Sequence, residues 1–439
     1  MIKYVAIIGA GIAGLPAIKQ CLDNDLIPIC FEQNSFIGGL WRNENCEKNK
    51  DPYSTIYKGV LTNTSKEMVV KYIIQSKNQE KEEIFDFVMV CSGHHSKPKW
   101  PEFKGMNFFK GEQLHSYKYK RAMDIAVELS NVASQVYISI RSGKLPWILP
   151  RFVNGKTTDH FTRFNAYIIP PSIGGKIIEN SIIKSFPIPS HLKLPTDPLI
   201  ASAIVINSDI YQCFAAGTII MKPNIKEFKF ENNQIEFIDE TILENIDVII
   251  YSTGYYIDYP FLEKHIYTGG DEIEQEYEKD FHDIVWLYKS IFPPKYPNIA
   301  FIGLTNRAGS LLPICEMQAR YVTSLIKGFI KSLPSQNEME KSIRKHYENS
   351  LKKLCKSARS SIHYNYLSYM DNLSKDIGCY PYPYEIFKKF GFNFWKLFMF
   401  GMATPIQVRA KDAISLYNEY SFKNSTRGSR GNNFVNIAK

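Results

Sequence analysis

Tyr4-Val5-Ala6-Ile7-Ile8-Gly9-Ala10-Gly11-Ile12-Ala13-Gly14 is the stretch that decides the fold. A short apolar, partly β-branched run feeds directly into a G-x-G-x-x-G turn, and the pattern after it predicts a helix over 15–22. Each glycine answers a separate steric demand. Gly9 allows the tight turn, Gly11 lets the backbone approach a phosphate, and Gly14 permits close packing of helix on strand. With Ala10, Ile12 and Ala13 they form a loop whose free N–H groups, at the positive end of the helix dipole, suit a diphosphate. The motif alone is weak evidence. Here Leu26-Ile27-Pro28-Ile29-Cys30-Phe31 supplies a second strand, and Glu32 stands at its end, where a carboxylate can accept hydrogen bonds from a ribose diol. Strand, loop, helix, strand and acid in this order predict a dinucleotide at the start of the chain.

At 439 residues the chain is too long for one small core, so two or three domains are expected. Its 44% hydrophobic and 22% charged residues are ordinary for a globular protein. The net charge of +9 is partly local. Residues 421–439 carry Lys423, Arg427, Arg430 and Lys439 with no acid, and read as a flexible basic tail. Weak attraction to an acidic membrane surface fits that tail. No recognition motif supports a nucleic-acid partner. The eight cysteines are scattered without C-x-x-C or zinc-ligand spacing. Free thiols, a reducing compartment and no metal site are therefore expected, and a disulfide reductase is excluded. The Lys and apolar run at the N-terminus serve better as a first strand than as a signal peptide. Residues 390–405 are apolar but interrupted by Lys396 and too short to span a bilayer. Phe394, Trp395, Phe398, Met399 and Phe400 there suit either burial in a core or a peripheral membrane contact. The expected location is the cytoplasm or the cytoplasmic face of the endoplasmic reticulum membrane, without a transmembrane anchor.

Further along, Gly38-Gly39-Leu40-Trp41-Arg42 suits a loop that brings a flat ring system close to backbone. Leu61-Thr62-Asn63-Thr64-Ser65-Lys66 is a polar loop, and Phe87-Val88-Met89-Val90-Cys91-Ser92-Gly93 reads as a buried strand ending in a small-residue turn. Then comes Phe109-Lys110-Gly111-Glu112-Gln113-Leu114-His115-Ser116-Tyr117-Lys118-Tyr119. At this point the chain closely resembles the flavin-containing monooxygenases. Phe109, Gly111, His115 and Tyr119 fall on that family's F-x-G-x-x-x-H-x-x-x-[YF] motif without a mismatch. Asp247 to Tyr255 and Ser310 to Arg320 are similar to two later stretches of those enzymes, so the likeness covers most of residues 1–420.

The resemblance implies an α/β fold with two dinucleotide-binding domains, a Rossmann-like FAD domain built from both ends of the chain and an inserted NADPH domain. Residues 1–119 and 255–345 would form the first and second parts of the FAD domain, and 120–254 the NADPH domain. A helical or irregular region over 346–420 and the basic tail would follow. FAD would be held by Gly9, Ala10, Gly11, Ile12, Ala13, Gly14, Glu32, Gly39, Leu40, Trp41 and Thr62. The ribose-binding Glu32 and the diphosphate loop argue for FAD over FMN. Asn63 would lie at the reactive face of the flavin as the catalytic residue; its plain alternative is a turn residue capping the next helix. NADPH would be recognised by Ser139, Arg141 and Ser142, with the Arg141 guanidinium on the 2′-phosphate. Its plain alternative is a solvated charge at a strand end. His115 reads as a hydrogen-bonding structural residue.

One element of the family is missing. A second G-x-G-x-x-G should follow the identifying motif, yet residues 112–141 contain no glycine. Tyr119-Lys120-Arg121 passes straight into Ala122-Met123-Asp124-Ile125-Ala126-Val127-Glu128-Leu129, which reads as the helix that normally follows that loop. The NADPH domain is therefore expected to be incomplete, lacking its first strand and its diphosphate cradle, with an orphaned sheet edge in their place. A second gap lies after Met68-Val69-Val70. The reaction implied is transfer of one oxygen from O2, through a flavin C4a-hydroperoxide formed after reduction by NADPH, to the nitrogen or sulfur of a small amine or sulfide. The alternative is a flavin-binding relative that NADPH does not reduce competently. The sequence names neither the substrate nor the oligomeric state.

Overall fold

The computed structural model describes residues 3–34, 37–39, 85–118, 122–153, 156–157, 169–185, 192–199, 204–230, 233–277, 283–306, 310–353 and 362–380, with isolated residues elsewhere up to 392. Leu40, Trp41, Thr62 and Asn63 lie outside the described residues, as do the gap after Val70, the apolar segment from 393 onward and the basic tail.

The chain opens with β1 (Tyr4–Ile8), α1 (Gly14–Asp23) and β2 (Ile27–Phe31). Next come β3 (Phe87–Val90), β4 (Glu112–His115), α2 (Ala122–Leu129) and β5 (Val136–Ser139). β6 (Trp147–Leu149), β7 (Ile204–Ile206), α3 (Ile210–Ala216), β8 (Ile219–Lys222) and β9 (Val248–Tyr251) follow. β10 (Ile299–Phe301), α4 (Leu311–Ile326) and α5 (Tyr366–Ile377) complete the elements needed here.

The first sheet runs β10-β3-β1-β2, and every pair in it is parallel. β1 is central, so its Val5, Ala6 and Ile7 are all buried instead of alternating, as a parallel strand covered on both faces requires. The two ends of the chain share this sheet, because β10 enters it beside β3 more than two hundred residues later. One apolar cluster underlies it. Ala17, Ile18 and Cys21 of α1 meet Ile314, Cys315 and Val322 of α4, and α5 adds Leu367, Met370 and Leu373. Asn365 caps α5 by accepting a hydrogen bond from the Ser368 N–H at 3.1 Å.

The middle of the chain is put together differently. Among the described residues its parallel strands occur as three separate pairs: β5 with β8, β6 with β7, and β4 with β9. Among the described residues no strand takes the second edge of β5 or of β9. β4 precedes the region expected to be inserted, yet it pairs with β9 at the end of that region. α2 spans the residues the sequence predicts, and with α3 it buries Met123, Ala126, Ile210 and Phe214 against Val136, Ile148 and Ile219. Three short antiparallel strands (Ile225–Phe228, Ile235–Phe237, Ile242–Leu243) set Phe228 and Phe237 against Phe109. Among the described residues no helix is long and apolar enough to cross a membrane.

Candidate functional site

The turn after β1 is held from several sides. Gly9 adopts φ +100°, open to glycine and closed to most side chains, and its N–H donates to the Phe31 carbonyl at 2.8 Å. Glu32, half-buried at the end of β2, accepts from the Ala10 N–H at 2.7 Å and from the Asn34 N–H at 3.0 Å. The Gly38 N–H donates to the Ala10 carbonyl at 2.9 Å, folding the second glycine pair over the first turn. A Cβ on Gly39 would stand 3.0 Å from the Gly11 Cα, so two backbones touch where side chains would part them. A Cβ on Gly14 would lie 1.9 Å from the Gly9 carbonyl oxygen. The N–H groups of Gly11, Ile12 and Ala13 have no partner among the described residues, and they lead into the positive end of α1. This is a cradle for an anion.

Beneath it lie four thiols. Burial pushes Cys21 and Cys315 up to about 12 and Cys30 up to about 11, the charge of Glu32 adding to the last. Cys91 is held well above the ordinary thiol range by burial, with its sulfur neighbours adding. These sulfurs pack as neutral groups, and a thiolate nucleophile is not available here.

The opposite wall comes from the other end of the chain. Gly303, at φ +84°, sits where a Cβ would meet the Cys315 Sγ at 3.2 Å and the Ala13 Cβ at 3.3 Å. Its N–H donates to the buried Gln318 Oε1 at 2.8 Å. Just beyond, Thr305 and Ser310 are buried, and both hydroxyl oxygens have no hydrogen-bond partner among the described residues. Ser310 stands at the N-terminus of α4 without capping it. Buried hydroxyls are normally satisfied. Two without a partner among the described residues and an uncapped helix N-terminus, following the Gly303 turn that meets Ala13, suit the polar edge of a ligand. Sequence reading missed Thr305 and the roles of Ser310 and Gln318. Gln318 alone left a signal, a polar residue in the apolar stripe of α4.

The remaining candidates are dispersed. Ser139 ends β5, exposed, with its hydroxyl donating to the Pro223 carbonyl at 2.8 Å. Ser142 closes a local turn with Lys144, and Arg141 is exposed with no ion-pair partner among the described residues. Asp124, in the first turn of α2, accepts from the Arg151 Nη2 at 2.9 Å and the Asn207 Nδ2 at 2.7 Å. The end of α2 that would face a second diphosphate thus already holds a paired carboxylate, and no glycine turn precedes it. The described residues fit FAD; among them none provides a second cradle for the NADPH diphosphate.

His115 lies between the two halves, buried at the end of β4. Its Nδ1 accepts from the Tyr117 N–H at 3.0 Å, and Nε2 faces the Thr253 hydroxyl at 3.4 Å. That hydroxyl donates to the Lys99 carbonyl, so the neutral ring carries its proton on Nε2. Protonating Nδ1 would point a donor at a donor. Desolvation lowers the His115 pKa, against the pull of the Lys99 and Gly254 carbonyls. A folded pKa below the unfolded one means stability present above about pH 6.5 and lost as pH falls through the folded value. Melting temperature is therefore expected to fall on acidification below about pH 6.5, and less steeply in His115→Asn. Parallel slopes in the two proteins would exclude His115 as the cause.

Comparison with known proteins gives this geometry a context. The model of a family described as flavin-binding monooxygenase-like matches residues 2–74 and 70–413. Dimethylaniline monooxygenase (N-oxide-forming) 2 of Oryctolagus cuniculus is 34% identical over 466 residues, covering 87% of this chain and 84% of the relative. Flavin-containing monooxygenase 5 of Cavia porcellus is 32% identical over 492 residues, covering 93% and 88%. Both alignments are longer than the 439-residue chain, so these relatives contain internal residues with no counterpart here. Among solved structures, S-allyl-L-cysteine S-oxygenase from Allium sativum matches with a TM-score of 0.55 at 18% identity, covering 96% of this chain and 99% of that one. Cyclohexanone monooxygenase from Rhodococcus sp. Phi1, bound to NADP+, gives 0.54 at 12%, covering 86% and 98%. These likenesses place the fold among flavin monooxygenases.

Proposed function

This chain belongs to the flavin-binding monooxygenase-like family, and from that premise we propose an FAD- and NADPH-dependent monooxygenase that transfers one oxygen atom of O2 to a nucleophilic nitrogen or sulfur of a small amine or sulfide. NADPH supplies the two electrons, and the second oxygen atom leaves as water. The observation that carries the reading is the first cradle, where Gly9 and Gly14 leave no room for a side chain, Gly11 faces Gly39 and Glu32 stands beside them. In this reading the N–H groups of Gly11, Ile12 and Ala13 hold the FAD diphosphate, and Glu32 turns from the Ala10 N–H toward the adenosine ribose. The Gly38–Gly39 backbone, with Leu40, Trp41 and Thr62, lines the flavin, and Asn63 serves its reactive face. Thr305, Ser310 and the α4 N-terminus hold its polar edge. When bound, FAD supplies the oxygen activation; the protein supplies position and a dry pocket. Ser139, Arg141 and Ser142 are assigned to the NADPH 2′-phosphate. The proposed domains are 1–119 with 255–345 for FAD and 120–254 for NADPH. A cytoplasmic or peripheral membrane location accompanies this reading.

A second reading has a specific observation behind it. The edges of β5 and β9 that no strand shares among the described residues, and the start of α2 without a glycine turn, favour a flavin protein that NADPH reduces poorly. The test of the primary reading is direct. Purified protein given FAD, NADPH and labelled O2 is expected to convert N,N-dimethylaniline or methyl phenyl sulfide to a product carrying one labelled oxygen, seen by mass spectrometry. Protein that takes up no FAD, or oxygenates neither probe at any NADPH concentration, would refute it.

A further inference from the structure

Gln318 is fully buried in the middle of α4, and both ends of its amide are used. Oε1 accepts from the Gly303 N–H at 2.8 Å, and Nε2 donates to the Tyr369 Oη at 2.7 Å. The Tyr369 hydroxyl in turn donates to the Lys289 carbonyl at 2.6 Å, on a turn where Lys289 and Ser290 both adopt positive φ. A buried chain of three hydrogen bonds therefore runs from the Gly303 turn through α4 to α5. The same loop is gripped again a few residues on, where the Asn306 N–H donates to the Ile362 carbonyl at 2.9 Å and Asn306 bridges His363. Ile362, His363 and Tyr369 thus belong to one segment that holds both ends of the loop carrying Thr305.

That loop needs holding. Gly303 has a backbone conformation that side chains rarely adopt, and it abuts Ala13 of the first turn. The Thr305 hydroxyl beside it has no hydrogen-bond partner among the described residues and would relax toward water if the loop were loose. We propose that Gln318 and Tyr369 are positioning residues for the flavin: through them the segment Ile362–Tyr369 clamps the loop Gly303–Asn306 against the first glycine turn and fixes the edge that the ring system meets. The inference rests on the flavin reading above. It assigns to α5, outside the glycine cradle, control over how tightly and in what geometry the flavin is held.

The test uses the full chain and FAD as the probe. Tyr369→Phe removes one oxygen and breaks the chain at α5, whereas Gln318→Met breaks it at Gly303. Each is expected to weaken FAD binding about tenfold and to change the visible circular dichroism of the bound flavin. The double variant is expected to be no weaker than Gln318→Met alone, because the two residues act in series. Ser374→Ala is the control. It deletes a buried hydrogen bond within α5, to the Asp371 carbonyl at 2.8 Å, without touching the chain to Gly303. It should lower the melting temperature of the FAD-free protein and leave FAD affinity unchanged. Should Gln318→Met fail to fold, Tyr369→Phe by itself decides. Wild-type affinity and spectrum in the variants that fold would overturn the clamp alone. Wild-type protein that takes up no FAD would overturn the clamp and the flavin reading together.

Discussion

Alanine at Gly14 is expected to cost the fold, and alanine at Gly11 only the ligand. At Gly14 the new methyl would sit 1.9 Å from the Gly9 carbonyl oxygen and 2.9 Å from its carbon, both backbone atoms of the turn itself. Neither can swing away as a side chain could. α1 must lift from β1, and with it goes the packing of Ala17, Ile18 and Cys21 on α4. A destabilisation of about 3 kcal/mol or more follows, at the upper end of overpacking costs, together with loss of bound FAD. At Gly11 the methyl would meet the Gly39 Cα at 3.6 Å, an ordinary contact. Stability should fall by less than about 1 kcal/mol. The methyl stands where the diphosphate must approach backbone, and displacing even two charge-assisted hydrogen bonds, worth about 1.5–3 kcal/mol each, weakens FAD binding by roughly 100-fold or more. Gly217→Ala serves as reference, since a Cβ there meets nothing within 4 Å although φ is +74°. Urea unfolding and FAD titration of the three variants separate the effects. Wild-type FAD affinity in Gly11→Ala would show that no phosphate comes to this turn.

The part of the site legible in the sequence is the part whose physics is local. Strand, glycine turn, helix, second strand and Glu32 are contiguous, and each residue type is required by its immediate neighbours, so the cradle can be read in order from 4 to 32. The helix over 122–129 was legible for the same reason. The far wall was not. Nothing local in Ile299–Phe301 says that it will lie beside β3, and hydroxyls such as those of Thr305 and Ser310 are common in loops. Their meaning appears only when they are found buried with no partner among the described residues. Gln318 was half-legible, because Ile314, Gln318 and Val322 lie on one face of α4 and a polar residue in such a stripe needs a partner; that the partner is Tyr369 could come only from the fold. The missing glycine loop was legible as an absence, and its counterpart is a middle region whose parallel strands form separate pairs.

That absence leads to the second large effect, in the reaction with NADPH under anaerobic conditions. A doubly wound unit grips its dinucleotide at the diphosphate, through backbone N–H groups at the turn between its first strand and helix. Here the strand that should lie between β5 and β9 has no counterpart among the described residues, and α2 begins with Asp124 paired to Arg151 and Asn207. What is left is Arg141, exposed at the end of β5, while Ser139 is engaged with Pro223. Losing two or three charge-assisted hydrogen bonds of about 1.5–3 kcal/mol each should raise the NADPH concentration for half-maximal reduction on the order of 100-fold or more over a relative with the intact loop. Dithionite, which needs no site, should bleach the flavin fully in both. The remaining contact should still discriminate: if Arg141 pairs with the 2′-phosphate, Arg141→Gln removes any preference for NADPH over NADH and leaves dithionite reduction unchanged. If Arg141 is only a solvated charge, the two nucleotides react alike before and after the change. Rapid bleaching at micromolar NADPH would overturn this account, because the diphosphate would then be gripped by something other than a glycine turn.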